Sequence, residues 1–180
     1  MIASVRWGLR CPPQARRETL VDMKKGTIGE ARVHVDTAAD VLYDMVSDVT
    51  RMGEWSPETI RCDWIDGAAG PAPGARFKGT NKRGVFRWST RPEVVVAERG
   101  RQFSFVTHSV GPSTKWTYRF EPGADGGTEL VESFEMLDDA SKVLSFIERR
   151  FMHIADRKVD LEAGMQRTLD RIKAVAESGR

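Results

Sequence analysis

The sequence predicts an α+β domain, a curved antiparallel sheet of about seven strands wrapped around one long C-terminal helix, with two short helices between strands one and two. Three observations carry this. Near the end of the chain Leu161, Met165, Leu169, Ile172 and Val175 recur at steps of four, four, three and three, which is one face of an α-helix. Upstream, short segments alternate apolar and polar residues between Gly- and Pro-rich turns, the period of half-buried strands. Those segments come in one block rather than alternating with helices, and their connections have hairpin length, so antiparallel pairing is expected.

In chain order, residues 1–25 show no period. Cys11-Pro12-Pro13 and Arg16-Arg17 read as a flexible extension, with Met23 an alternative start of translation. The domain is expected over residues 26–180. Ala31, Val33 and Val35 alternate with Glu30, Arg32 and His34 in the first strand. Thr37 and Asp40 have the spacing of a capping box ahead of a short helix carrying Val41, Leu42, Met45 and Val46. A second helical turn runs over residues 48–55, with Asp48 capping and Trp55 packing, and Ser56-Pro57 closes it. Strands then follow on Ile60–Cys62–Trp64, on Phe77–Gly79–Asn81, and on Phe86–Trp88–Thr90 continuing into Val94–Val96, where Pro92 implies a bulge or a break in pairing. Phe103–Phe105, Trp116–Tyr118–Phe120 and Leu130–Glu132–Phe134–Met136 complete the sheet. An upstream stripe of Val143, Ile147, Phe151 and Ile154 either extends the closing helix or forms a separate short helix over residues 139–152.

Charge and composition exclude several function classes. The 180 residues carry 28 Arg/Lys, 26 Asp/Glu and a net charge of +2. Residues 1–25 hold six Arg/Lys against two acids, a balance of +4, which leaves residues 26–180 at −2. A domain without a cationic surface is not expected to bind nucleic acid non-specifically. No apolar run reaches the length of a membrane span, and the first residues lack a secretory pattern. Two cysteines, Cys11 and Cys62, make neither a disulfide framework nor a metal motif, so a reducing cytoplasm is the expected location.

No motif demands a cofactor or a metal. His34, His108 and His153 occur singly, and the parity of His34 and His108 points them outward. The Gly-rich residues 67–74 lack the Gly-Lys-Ser/Thr ending of a phosphate loop and precede a strand, so a hairpin loop is expected there. A Gly-x-Ser-x-Gly elbow is absent from the sequence.

The inward face is more informative. Parity places Trp64, Phe77, Asn81, Trp88, Thr90, Phe103, Phe105, Trp116, Tyr118, Leu130, Glu132 and Phe134 on the side facing the helix. Aromatics with a few polar groups make either a solid core, in which Tyr118 and Glu132 hydrogen-bond each other or the backbone, or a small-molecule pocket. Glu132 is the most suggestive of the set. A carboxyl desolvated among aromatics is a candidate general acid or base, with Tyr118 as its companion, unless Arg87, Arg119 or an edge Lys pairs with it.

Several phrases resemble one family. They are residues 38–55 (AADVLYDMVSDVTRMGEW), 74–84 (GARFKGTNKRG), Trp116-Thr117-Tyr118, residues 127–130 (GTEL) and residues 164–169 (GMQRTL). Together they are similar to the bacterial polyketide cyclase/dehydrase and lipid-transport branch of the START/Bet v 1-like (SRPBCC) superfamily, over residues 27–177. The resemblance implies a helix-grip fold with a cavity between sheet and helix. It also implies a hydrophobic lipid- or polyketide-like ligand, bound without cofactor, and as an alternative a cyclase or dehydratase reaction in the same cavity. The ligand set it suggests is Trp64, Phe77, Asn81, Trp88, Thr90, Phe103, Phe105, Trp116 and Phe134, facing Gly164, Met165 and Thr168 of the helix, with Glu132 and Tyr118 catalytic if chemistry occurs. Gly164 in mid-helix costs about 1 kcal/mol relative to Ala, so either close approach or needed space is expected there.

Overall fold

β1 (Ile28–Val35) turns Gly29, Ala31, Val33 and Val35 inward, as its alternation requires. The computed structural model describes residues 23–108, 112–124, 126–139 and 156–178. Most of the 1–25 extension and the 140–155 stripe (Val143, Ile147, Phe151, Ile154) lie outside the described residues. Met23, which the sequence reading assigned to the extension, is 5% exposed and packs with Phe134, Met136 and Met165. The Gly26 N–H donates to the Met136 carbonyl at 2.8 Å, tying this entry to the last strand.

After β1 come α1 (Ala39–Ser47) and a 3₁₀ helix (Val49–Glu54). Then follow β2 (Thr59–Ile65), β3 (Arg76–Arg83), β4 (Phe86–Thr90), β5 (Glu93–Glu98), β6 (Gln102–Thr107), β7 (Thr114–Pro122) and β8 (Thr128–Met136). α2 (Arg157–Ser178) closes the described chain. The strands form one antiparallel sheet in the order β1-β8-β7-β6-β5-β3-β2, with β4 off this path on β3. β1 and β2 are neighbours in sequence and opposite edges in space, and the two short helices run between them. This is the helix-grip arrangement.

Two bulges bend the sheet. The pairing shifts between Thr59 and Arg61 and between Val94 and Val96, leaving Ile60 and Val95 as the extra residues. A bulged residue is unpaired and increases local twist, and both of these side chains point to solvent. Arg91-Pro92 interrupts the ladder between β4 and β5, as a residue without an N–H must, and β3 pairs with β4 along one half and with β5 at Arg76↔Glu93.

α2 packs its stripe into this curve. Met165, Thr168, Leu169 and Ile172 are buried, and the Lys173 ammonium donates to the His34 carbonyl at 2.7 Å. α1 lies on β6 and β7 through Tyr43, whose ring meets Phe103 and Phe120 edge-on at 6.4 and 5.6 Å. The capping box expected at Thr37 and Asp40 does not form. Ala38 holds the N-cap position without a side-chain cap, and the Asp40 carboxylate is taken instead by Arg99, 2.8 Å away. Asp48 does cap, accepting from the Thr50 N–H at 3.1 Å, and Trp55 is buried beneath the Arg51 guanidinium.

Candidate functional site

Between the inner face of the sheet and the N-terminal half of α2 lies a pocket of about 250 Å³. A glycine stands in each wall, in β3 for close approach and in α2 for space. On β3 the inward positions are Phe77, Gly79, Asn81 and Arg83, and a Cβ at Gly79 would collide with the Thr90 hydroxyl, 2.9 Å away. On α2 the facing residue is Gly164, where an added Cβ would meet only an Arg167 guanidinium nitrogen at 3.9 Å. Of the two roles open to this glycine, space rather than close approach is the one observed.

Phe77, Asn81, Trp88, Thr90, Phe105, Trp116, Tyr118 and Glu132 line the pocket from the sheet, and Gly164, Met165 and Thr168 line it from the helix. Three residues expected with them do not. Trp64 sits beyond Phe77, packing edge-on against it at 5.7 Å. Phe103 is buried against Tyr43 and Phe105 beneath α1. Phe134 fills the second cluster with Met23 and Met165, its ring lying where a side chain at position 29 would be.

At the base, the Tyr118 hydroxyl donates to Glu132 Oε1 at 2.8 Å. Glu132 is 4% exposed, and its other oxygen, Oε2, is buried with no hydrogen-bond partner among the described residues. The pairing with Arg87, Arg119 or an edge Lys does not occur. Arg119 is held by Glu30 and Glu121 on the outer face, and Arg87 is exposed. Burial pushes the Glu132 carboxyl up to about 8, although the bond from Tyr118 favours the ionised form. Burial thus favours the neutral carboxyl; Oε1 accepts from tyrosine, and Oε2 is the oxygen left without a partner among the described residues. Burial, with the neighbouring Glu132, raises Tyr118 well above the ordinary phenol range. Burial and the charge of Asp63 push the Cys62 thiol, also in the lining, up to about 12.

Further up, the Asn81 amide oxygen accepts from the Thr59 hydroxyl at 2.9 Å, while its NH₂ has no protein acceptor among the described residues. Thr168 donates to the Gly164 carbonyl at 3.1 Å, so its hydroxyl hydrogen is already engaged. The rim is ionic. The Arg83 guanidinium reaches Glu58 at 2.8 Å and Asp160 at 2.7 Å, and Arg157 joins Asp160 at 2.9 Å. The sequence reading missed this cluster. Arg83 continues the Phe77–Asn81 parity, which is the signal that could have found it; its partners lie 25 and 77 positions away and leave no local trace. His34 is half-exposed with Nδ1 2.8 Å from a Glu129 oxygen, and His108 is exposed. Among the described residues, no cluster of three or more His, Cys, Asp or Glu is placed to hold a metal ion.

The sequence pattern of the family described as polyketide cyclase/dehydrase and lipid transport matches residues 27–177. The chain belongs to this family. A polyketide-cyclase-like protein of Corynebacterium glutamicum, known from a solution NMR structure, is 34% identical, with 85% of this chain and 93% of that chain covered and a TM-score of 0.56. Two more distant structures share the fold alone. The di-domain ARO/CYC StfQ of the steffimycin biosynthetic pathway is 17% identical over 84% of this chain and 50% of that one, with a TM-score of 0.66. The major latex-like protein 151 of Panax ginseng is 9% identical over 83% and 97%, with a TM-score of 0.64. No curated protein matches the chain. Membership of the polyketide cyclase/dehydrase and lipid-transport family, together with the fold, implies a ligand-binding groove between sheet and helix. Among the described residues no helix is long and apolar enough to cross a membrane.

Proposed function

We propose that this protein binds a hydrophobic small molecule, lipid- or polyketide-like, in the pocket between sheet and α2. The observation that carries the reading is the juxtaposition of an aromatic wall (Phe77, Trp88, Phe105, Trp116) with a buried carboxyl whose Oε2 has no partner among the described residues. An apolar ligand bearing one carbonyl or hydroxyl oxygen satisfies both features. Removing roughly 300 Å² of apolar ligand surface from water is worth about 7 kcal/mol before ordering and rigid-body losses, enough for micromolar binding without a catalytic group. Trp88 and Trp116 in the wall supply the assay. Titration with aromatic polyketides and fatty acids is expected to change tryptophan fluorescence saturably, and native mass spectrometry of the purified protein is expected to show a bound organic molecule. A protein that is empty and unresponsive to both panels sinks the reading.

The Tyr118–Glu132 pair favours a second reading, a cyclase or dehydratase in which this carboxyl moves a proton on a folded polyketide chain within a pocket that excludes water. The ARO/CYC neighbour lends it support. Glu132→Gln retains the Tyr118 acceptor but cannot transfer a proton; it is expected to keep ligand binding and abolish turnover. Full turnover by this variant removes the acid/base role.

A further inference from the structure

The β3–β4 hairpin presents a second surface at its tip, where Phe86 keeps the inward parity of Arg83 and Trp88 while Lys82 and Arg87 lie on the outer face. Arg83 and Phe86 face each other in register across a two-residue turn, Gly84–Val85, and Gly84 has φ +59°, as the first central residue of a type II′ turn requires. At the tip Val85 is 90% exposed and Phe86 41%. The exposure of Ile60 and Val95 is explained by their bulges; nothing in the sheet explains the tip.

Just behind the tip, Lys82 and Arg87 stand directly opposite each other on neighbouring strands. Like charges in that relation destabilise the hairpin, so local stability does not account for them. Neither forms an ion pair among the described residues, and neither does the exposed Arg91 at the end of the hairpin. Elsewhere Arg51, Arg61, Arg99 and Arg119 are neutralised by carboxylates, whereas Lys78, Arg101 and Lys115 stand singly without one among the described residues. Residues 82–91 contain no acid, on a domain whose residues 26–180 sum to −2. Apart from Arg83, which is held by Glu58 and Asp160, the cationic charge of this hairpin is therefore clustered and uncompensated.

We propose that the β3–β4 hairpin docks on an anionic lipid bilayer, with Val85 and Phe86 entering the boundary between headgroups and acyl chains and Lys82, Arg87 and Arg91 lying against the phosphates. An apolar tip between cations fits that partner better than a nucleic acid, whose backbone rewards the charges alone. Arg83, Trp88 and Thr90 of the same hairpin line the pocket, so the docked surface adjoins it. The docking argument does not depend on what the pocket holds.

The test is co-sedimentation of the full chain with vesicles of phosphatidylcholine alone and of phosphatidylcholine with phosphatidylglycerol, at low and high salt. Binding is expected only to the anionic vesicles and is expected to fall with salt. Lys82→Ser/Arg87→Ser is expected to weaken it about fivefold for each charge removed, while melting no lower than wild type because the like-charge pair is gone. Val85→Ser/Phe86→Ser is expected to weaken it with charge unchanged. Arg101→Ser, which removes an exposed charge from the β5–β6 turn, is expected to leave it as it was. Four results overturn the proposal. They are absence of vesicle binding; equal binding to both vesicle types; wild-type binding by both hairpin variants, which places the affinity outside the hairpin; and a loss in Arg101→Ser as large as that per hairpin charge. Where the first of these is found, retention on duplex DNA that needs Lys82 and Arg87 but not Val85 and Phe86 identifies nucleic acid as the partner instead.

Discussion

Burying the Glu132 carboxyl penalises only its charged form, and this gives the residue a measurable signature. The folded protein holds the proton up to about 8, whereas an ordinary glutamate loses it at 4.5. Between those values the native state binds more protons than the unfolded chain, so stability is highest below 4.5, falls as pH rises toward 8, and levels off above. The slope from this one group approaches about 1.4 kcal/mol per pH unit, and the loss over the interval accumulates to about 5 kcal/mol. Denaturant titrations of wild type and Glu132→Gln across this range are expected to diverge with rising pH, the variant being the flatter and, at alkaline pH, the more stable. Parallel curves would mean that the carboxyl is solvated. Cys62 gives a simpler check. Its thiol, 2% exposed and pushed up to about 12, is expected to resist iodoacetamide at neutral pH until the protein unfolds.

Within α2, Gly164 separates what the helix needs from what the pocket needs. A larger residue there gains about 1 kcal/mol of helix propensity, its Cβ meets only the Arg167 guanidinium at 3.9 Å, and the rest of its side chain enters the pocket. Gly164→Leu is therefore expected to melt at or above the wild-type temperature while losing the fluorescence response to ligand. A variant that melts higher and still binds places the ligand elsewhere. This position was readable from the sequence because glycine in a mid-helix stripe is anomalous, and the inward aromatics were readable because strand alternation is local. What alternation does not encode is depth along the strand. Trp64, Phe103 and Phe134 share the parity of Phe77, Phe105 and Trp116, yet they lie past the ends of the pocket, where α1, Tyr43 and Met23 arrive from distant parts of the chain. The Thr37–Asp40 spacing misled for a related reason. Arg99, 59 positions away from Asp40, competes for the carboxylate that a capping box would use. The Arg83 cluster was hidden in the same way.

Across the whole molecule, the grip on α2 is uneven. Its C-terminal half is fastened by Leu169 and Ile172 in the main core, by Lys173 on the His34 carbonyl and by Arg171 reaching toward the Trp55 carbonyl at 3.4 Å. Its first turns stand largely over a cavity, with Leu161 at the edge of the Met23–Phe134 cluster, and Asp160 bonded to Arg83 is a charged tie from them to the sheet. Opening the first turns exposes little apolar surface, whereas opening the C-terminal half exposes the core, so the two halves belong to different stability classes. Amide hydrogen exchange is expected to be slowest over residues 168–176 and distinctly faster over residues 161–164. Arg83→Ala removes the charged hydrogen bonds that hold the weaker half, and exchange there is expected to speed up by about tenfold, the equivalent of one such bond, with residues 168–176 unchanged. A ligand that fills the pocket is expected to do the reverse, slowing residues 161–164 selectively by replacing the missing packing. Uniform protection along α2, insensitive to Arg83, would mean that the helix moves as one body and that access to the pocket does not pass beneath its first turns.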